Sequence, residues 1–276
     1  MLNIPKWLRS AVMGTLLVGH FSYFLPAQAA PLESKTILAV FAHPDDESFV
    51  GPVLARYARE GHKVYLVVVT DGQLGVTAHA GIAAGEPLKQ ARLAETQCAT
   101  KALGIEAPIM LDFVDGSLAQ SKTMQPVAAQ LGQLFSELKA DLVITWGPEG
   151  GYGHPDHRMV SNLVAEVFQK GGDNWPQALY FAAAADIDLH NYNDYSANFG
   201  QYIKARWHTS AQQWLTHKIA FNQSDKQQAA AAVACHQSQF TAADIADINA
   251  FVGAKPWHVY LRQAYTQTAL RQSLFE

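Results

Sequence analysis

Two short clusters of histidine and aspartate have the residue types and spacing to hold a metal ion together. Residues 43–47 read HPDDE and residues 153–157 read GHPDH. His43 and Asp46 are three residues apart, so both can face one point across a helical turn, and the two histidines of the second cluster have the same spacing. A catalytic zinc takes three protein ligands and keeps a fourth position open. His43, Asp46 and one histidine of the second cluster supply that number.

Each cluster taken alone has a simpler explanation. Asp45 and Asp46 are typical helix-capping residues, which also interact favourably with the helix dipole. An isolated His-x-x-His pair is a weak metal motif. Seven histidines outside the predicted leader and the two clusters lack ligand spacing, and most of them are expected to be surface or satisfied polar residues: His62, His79, His190, His208, His217, His236 and His258. The case for a metal site therefore depends on the fold bringing the two clusters together.

Alternating strand and helix patterns predict that arrangement. Short apolar runs rich in β-forming residues alternate with helical stretches, which is typical of a single α/β domain with a mostly parallel sheet, helices on both faces and a Rossmann-like organisation. The predicted strands are 36–42, 63–70, 109–113 and 141–146, with weaker candidates at 178–184 and 257–261. The predicted helices are 47–59, 88–103, 124–138, 156–169 and 218–236, and 71–87 is a predicted loop. The clusters follow the first and fourth strands, at the sheet edge where such folds bind ligands.

Composition excludes several classes of protein. The chain has 276 residues, of which 49% are hydrophobic and 16% charged, so it is neither disordered nor collagenous. The net charge is −4 and there is no basic block, so we expect no nucleic-acid partner. Two cysteines, Cys98 and Cys235, exclude a disulfide scaffold and a cysteine-rich zinc site. A single bridge and a pair of buried free thiols both remain open.

The amino terminus has the three-part layout of a secretory signal peptide. Lys6 and Arg9 precede an uncharged stretch over 11–25, and Ala27-Gln28-Ala29 places small residues before a cut after Ala29. An uncleaved membrane anchor is the alternative, but an apolar core of about 15 residues is short for a bilayer span. We expect a signal peptide over 1–29, a domain over 30–276, and export to the periplasm or medium with no stable membrane span.

The two clusters together resemble the two signatures of the PIG-L / LmbE-like N-acetylglucosaminyl deacetylases. Supporting similarities follow in the expected order: Thr70-Asp71-Gly72 with Gly75, the helix from Arg92 through Glu95 to Gly104, Phe113-Val114-Asp115-Gly116, and Lys226 with Cys235-His236-Gln237-Ser238-Gln239. The resemblance covers about residues 36–240. It does not extend to 186–217, so the rim of the pocket is expected to differ from that of shorter members.

The resemblance implies a role for each residue of the two clusters. One zinc ion per chain would be bound by His43, Asp46 and His157. Asp45 would be the general base, and His154, oriented by Asp156, would steady the oxyanion or protonate the leaving amine. The residue chemistry agrees, since a carboxylate beside the ion can take a proton from its water, and a cationic imidazole can face developing negative charge.

The resemblance also suggests three substrate-binding residues, each with an alternative. Arg92 could hold a sugar hydroxyl or a phosphate, or form an exposed pair with Glu95. Asp115 could bind sugar hydroxyls, or only form a turn before a glycine. Tyr152 could direct its hydroxyl toward the oxyanion, or be an aromatic residue of the rim.

The resulting hypothesis is an exported, zinc-dependent deacetylase that acts on an N-acyl amino sugar, either a small molecule or a glycan. An amidase acting on a larger N-acyl sugar conjugate and a non-catalytic zinc or carbohydrate binder are the alternatives. A pure binder would have no need of Asp45 beside the metal. A phosphoesterase would usually need two metal ions and more carboxylates than the clusters offer.

Overall fold

The computed structural model describes residues 33–186, 201, 205–253 and 257–266, with the backbone alone at 251–253. The predicted signal peptide over 1–29 and most of 187–204 lie outside the described residues. From Ser34 onward the described chain forms one compact unit. Within that part of the chain, no helix has the length and apolar character needed to cross a membrane.

A seven-stranded sheet forms the centre of the domain. The strands are β1 (Thr36–Phe41), β2 (Lys63–Thr70), β3 (Ile109–Phe113), β4 (Leu142–Trp146), β5 (Ala178–Ala183), β6 (His217–Ala220) and β7 (His258–Gln263). Their order across the sheet is β3-β2-β1-β4-β5-β7-β6. The first five are parallel, whereas β7 pairs antiparallel with both β5 and β6. The expectation of a mostly parallel α/β sheet is confirmed.

Helices cover both faces of this sheet. They are α1 (Gly51–Arg59), α2 (Glu86–Leu103), α3 (Ser121–Leu138), α4 (Pro155–Lys170), α5 (Gln223–Val233) and α6 (Ala242–Gly253). Strand β1 is buried on both sides, because helices cover both faces of the sheet. Successive side chains of a strand point to opposite faces, so they join two different cores. Ile37 and Phe41 join the core under α1, α2 and α5, while Leu38 and Val40 join the core under α3 and α4.

Two of the predicted helices differ from those in the structure. The helix predicted over 47–59 is instead a short 3-10 helix over Asp46–Phe49 followed by α1. The helix predicted over 218–236 is wrong at both ends, because residues His217–Ala220 form β6 and Cys235 lies in the turn after α5. The pairing of β6 with β7 joins distant segments, which a local helical pattern cannot reveal.

Candidate metal centre and active site

The two clusters meet because β1 and β4 are neighbouring parallel strands. Their register pairs Ile37 with Leu142 and Val40 with Thr145, so both strands end at the same edge of the sheet. His43 and Asp46 follow β1 and are 6% and 7% exposed, and His157 in the first turn of α4 is fully buried. The fold therefore brings the two clusters together at one edge of the sheet, as expected from the order of strands and helices.

Three side chains converge there with donor atoms in contact. His43 Nδ1 lies 3.1 Å from His157 Nε2 and 3.8 Å from Asp46 Oδ2. His157 Nε2 lies 3.1 Å from Asp46 Oδ1. Ligand atoms placed tetrahedrally at zinc bond lengths are about 3.3 to 3.4 Å apart. The distances from His157 Nε2 to His43 Nδ1 and to Asp46 Oδ1 are therefore close to those between zinc ligands, whereas His43 lies nearest to the other oxygen of Asp46.

The hydrogen bonds on the far side of each ring support the same arrangement. His43 Nε2 lies 3.1 Å from Asp115 Oδ1 and 3.4 Å from Asp156 Oδ2, and since carboxylates only accept, this nitrogen carries the proton. His157 Nδ1 similarly donates to the carbonyl of Gly150 at 3.2 Å. Metal-binding histidines are commonly held in this way through the ring nitrogen that does not bind the ion. His43 Nδ1 and His157 Nε2 then face the shared point.

Backbone and indole donors fix the carboxylate of Asp46. Its Oδ2 accepts from the N–H groups of Ala42 at 3.0 Å and His43 at 2.9 Å, and from Trp146 Nε1 at 3.1 Å. Oδ1 remains directed at His157. Burial would raise the pKa of Asp46, but the neighbouring His157 and His43 outweigh it and hold the pKa well below its usual value. Asp46 is thus ionised and suited to bind a cation.

The electrostatics of the cluster favour a positive charge. Burial lowers the pKa of His43, but its hydrogen bonds to Asp115 and Asp156 and the charge of Asp46 outweigh burial and raise the pKa to about 10. A proton or a metal ion can supply the charge that these carboxylates attract.

Among the described residues, two groups of three side chains have donor atoms that all lie within 4.8 Å of one another, and neither group includes Asp46. His43 and His157 form one of them with His154, so His154 lies close enough to face the same ion. The second combines His43 with Asp115 and Asp156 on the other side of the ring. In that group both oxygens of Asp156 already accept backbone N–H groups, from Gly116 at 2.7 Å and Leu118 at 3.2 Å. His154 is therefore better placed than Asp115 or Asp156 to act beside the ion.

Asp45 follows His43 but stays apart from the three converging donors. Its Oδ2 accepts from Arg92 Nη2 at 2.6 Å, and its backbone N–H donates to Glu47 Oε2 at 3.1 Å. Its φ of 95° lies in the left-handed region, where a non-glycine residue is strained. Burial raises the pKa of Asp45 to about 6 even though the charge of Arg92 opposes it. A carboxyl with that pKa can act as a base near neutral pH.

His154 caps the helix that carries His157. Its Nδ1 accepts the backbone N–H of Asp156 at 3.2 Å, which leaves Nε2 as the N–H donor of a neutral ring. Burial and the nearby His43 lower the pKa of His154. The structure thus favours a neutral donor where the sequence suggested a cation. Asp156 orients His154 through its backbone, while its carboxylate supports His43.

The three expected substrate-binding residues take different positions. Arg92 is 3% exposed and bonds Asp45 rather than Glu95, and its other acceptors are the carbonyls of Gly72 and Pro44. Asp115 contacts His43 through Oδ1 and accepts from the backbone of Leu74 through Oδ2.

Tyr152 packs edge-on against His157, with ring centroids 5.0 Å apart, and lies 6.0 Å from His154. It belongs to an aromatic group with Trp207, which also packs on Phe49 at 4.9 Å. Trp207 comes from the stretch over 186–217 that the family resemblance does not cover. That stretch therefore contributes to the wall of the site.

Two features of the site were not predicted from the sequence. Glu47 and His236 are fully buried and joined by a 2.6 Å contact between Oε1 and Nε2. Cys98 of α2 and Cys235 form a disulfide, which settles the alternative between a bridge and free thiols. Glu47 and His236 lie in stretches that the family resemblance includes, but the contact between them crosses 189 positions of sequence and the disulfide crosses 137. No local spacing could reveal them.

Comparisons with known proteins agree with the motif and the fold. Residues 38–168 match the PIG-L family, described as GlcNAc-PI de-N-acetylase. A 1D-myo-inositol 2-acetamido-2-deoxy-alpha-D-glucopyranoside deacetylase from Catenulispora acidiphila is 33% identical over 161 residues, covering 51% of this chain and 53% of that protein. The chain spans about half to three-fifths of the length of the curated relatives it matches.

Solved structures share the fold at low sequence identity. The N,N'-diacetylchitobiose deacetylase from Pyrococcus horikoshii aligns with a TM-score of 0.54 and 18% identity, over 76% of this chain and 72% of that one. The 4-carboxy-2-hydroxymuconate hydratase from Pseudomonas putida aligns with a TM-score of 0.59 and 15% identity, over 87% of this chain and 100% of that one. Since a deacetylase and a hydratase share it, the fold alone does not determine the reaction.

Proposed function

Residues 38–168 belong to the PIG-L family, and from that premise we propose that the protein is a zinc-dependent deacetylase of an N-acyl amino sugar. The observation that carries the proposal is that two adjacent carboxylates, those of Asp45 and Asp46, have different positions and different partners. Asp46 faces His43 and His157, whereas Asp45 pairs with Arg92 and stays out of that group. A hydrolase needs both a metal site and a separate base, and a simple binder needs only the first.

His43, Asp46 and His157 would hold the ion. When bound, zinc polarises the amide carbonyl and lowers the pKa of a coordinated water. Asp115 and Asp156 keep the ring of His43 oriented through Nε2, and Gly150 does the same for His157. Gly150 has a φ of 67°, and a side chain there would clash with Arg158, so its carbonyl depends on glycine.

Asp45 takes a proton from the attacking water, and Arg92 fixes the direction of its carboxylate. His154, as a neutral ring with a proton on Nε2, donates a hydrogen bond to the oxygen on which negative charge develops. The proton that Asp45 has taken can then pass to the leaving amine, since a neutral His154 has no acidic proton to give and nitrogen must be protonated to depart as a free amine. The products are a free amino sugar and a carboxylic acid, most simply acetate.

The substrate and the location are part of the proposal. Relatives named for the deacetylation of a 2-acetamido-2-deoxy-glucopyranoside and of diacetylchitobiose support an N-acetylated hexosamine. The leader-like sequence over 1–29 supports export to the periplasm or the medium. A sugar derivative that is present outside the cytoplasm would then be the substrate.

The direct test is a screen of N-acetylglucosamine and its glycosides for released acetate and free amine. We expect equal amounts of both products, loss of activity after chelation, and recovery on adding zinc. Amine release only from sugars with longer acyl groups would favour the amidase alternative. Stoichiometric zinc with no hydrolysis of any N-acyl sugar would contradict the proposal and favour a binding protein.

A further inference from the structure

Behind the metal centre, a closed chain of contacts leads from Asp45 through Glu47 and His236 to α2 and back to Asp45. We propose that Glu47, His236 and the Cys98–Cys235 disulfide are positioning groups that hold Asp45 in place. This inference rests on the proposed function, in which Asp45 is the base. None of these groups contributes a donor atom to the point shared by His43, Asp46 and His157.

Glu47 is the first link of the chain. One oxygen of its carboxylate accepts the backbone N–H of Asp45 at 3.1 Å, and the other contacts His236 Nε2 at 2.6 Å. Asp45 has a left-handed φ of 95°, and such strain persists only where the surroundings determine the conformation. The Glu47 contact on the backbone and the Arg92 contact on the side chain supply that restraint from two directions.

The segment containing His236 is fastened to α2. Cys235 is bonded to Cys98 of that helix, and Ser238 donates to Glu95 of the same helix through its backbone N–H at 2.6 Å and its hydroxyl at 2.7 Å. Helix α2 also carries Arg92, which binds Asp45. The chain of contacts that begins at Asp45 therefore returns to Asp45 through α2.

The side chain of Arg92, which reaches Asp45, is also closely packed against a glycine-containing loop. A Cβ added at Gly72, which has a φ of 65°, would lie 2.5 Å from Arg92 Nη1, and one at Gly75 would lie 2.8 Å from it. Gln239 donates to the carbonyl of Gly75 at 2.9 Å, so the segment after His236 also holds this loop. The backbone of the loop after β2 thus lies close against the guanidinium that directs Asp45.

A purely stabilising role fits the Glu47–His236 pair less well. Burial lowers the pKa of His236, but its contact with Glu47 outweighs burial and raises the pKa, so an ionic contact lies inside the protein with both side chains fully buried. Buried ion pairs often stabilise a fold less than apolar residues of similar size. His236 Nδ1 also lacks a hydrogen-bond partner among the described residues. A pair with these costs, directly joined to a strained Asp45, is better explained by positioning.

The test compares Glu47→Gln with a matched control, Asp225→Asn. Asp225 is also fully buried and ion-paired, to Arg59 at 2.7 Å, but at the start of α5 and away from the metal centre. For Glu47→Gln we expect zinc content and KM near wild type and kcat about 10²-fold lower, the scale of a small misplacement of a catalytic group. Asp225→Asn should lower the melting temperature and leave kcat unchanged.

Amide hydrogen exchange gives a readout that does not need activity. Glu47→Gln should exchange faster in peptides covering 43–50, with no change over 142–146, and Asp225→Asn should leave both unchanged. Reduction of the disulfide, which is reachable because Cys98 is exposed, should have the effect of Glu47→Gln and provides the test if that variant does not fold.

Unchanged kcat and unchanged exchange over 43–50 in both perturbed proteins would overturn the inference. Loss of zinc in Glu47→Gln would overturn it also, because the pair would then support the ligands rather than the base. If the wild-type protein deacetylates no N-acyl sugar, the proposed function fails, and the exchange comparison still decides whether these groups hold Asp45.

Discussion

Replacing Asp45 with asparagine separates proton transfer from metal binding. Asparagine keeps the shape of the side chain and an oxygen that can accept from Arg92 Nη2, so the 2.6 Å contact can be retained. It removes the basicity, and the usual worth of a general base is about 10² to 10⁴ in rate. That range corresponds to about 2.7 to 5.4 kcal/mol of transition-state stabilisation. We expect this loss in kcat/KM with about one zinc retained per chain.

The pH dependence of kcat/KM gives a second test of Asp45 as the base. With its pKa raised to about 6, Asp45 is about nine-tenths ionised at pH 7 and about one-tenth at pH 5. A base must be ionised to act, so wild-type kcat/KM should fall about tenfold between these pH values, and the fall should be absent in Asp45→Asn. The assay is kcat/KM from pH 5 to 8 with the zinc content measured on the same samples.

Asp46→Asn is the matched control for this experiment, because it removes the adjacent charge. It should weaken zinc binding first, with activity partly recovered at excess metal. An Asp45→Asn protein that loses zinc while Asp46→Asn keeps it would mean that the two roles are exchanged. Full activity of Asp45→Asn with zinc bound would refute the assignment and make Glu47 or His154 the next candidate.

Two further predictions concern the candidate site, and a third concerns the amino terminus. Elemental analysis of His157→Ala should show most of the metal lost, and full retention would contradict its assignment as a ligand. Arg92→Gln removes the charge that lowers the pKa of Asp45, so the acid limb of kcat/KM should move to higher pH. An unmoved limb would separate Arg92 from the base. Amino-terminal sequencing of the exported protein should find a start just after Ala29, and a start at Met1 would refute the cut.

Much of the fold could be predicted because its signals are local. Strands β2 and β3 have the predicted bounds, and β4 begins one residue later than predicted. Each is a short apolar run whose type can be judged without its neighbours. The helix predicted over 218–236 was wrong at its start, because β6 is a strand only through its pairing with β7, whose residues follow about 40 positions later.

The site divides in the same way. The spacing of His43 and Asp46, and their position at a strand end, followed from the sequence alone. The partners of these residues did not, because Asp115 reaches His43 and His236 reaches Glu47 only after the chain has folded. The contact between Arg92 and Asp45 could not be predicted for the same reason. The sequence of a predicted helix does not show which partner a buried arginine on it will have.

Trp146 has a consequence for measurement. Its indole donates to Asp46 and stacks on the ring of His157, with centroids 4.7 Å apart and planes within 5°. Two of the three candidate ligands therefore touch one fluorophore. Any change in the charge of those ligands alters the surroundings of the Trp146 indole. Tryptophan fluorescence should therefore report occupancy of the metal site in the intact protein, without a label or a substrate.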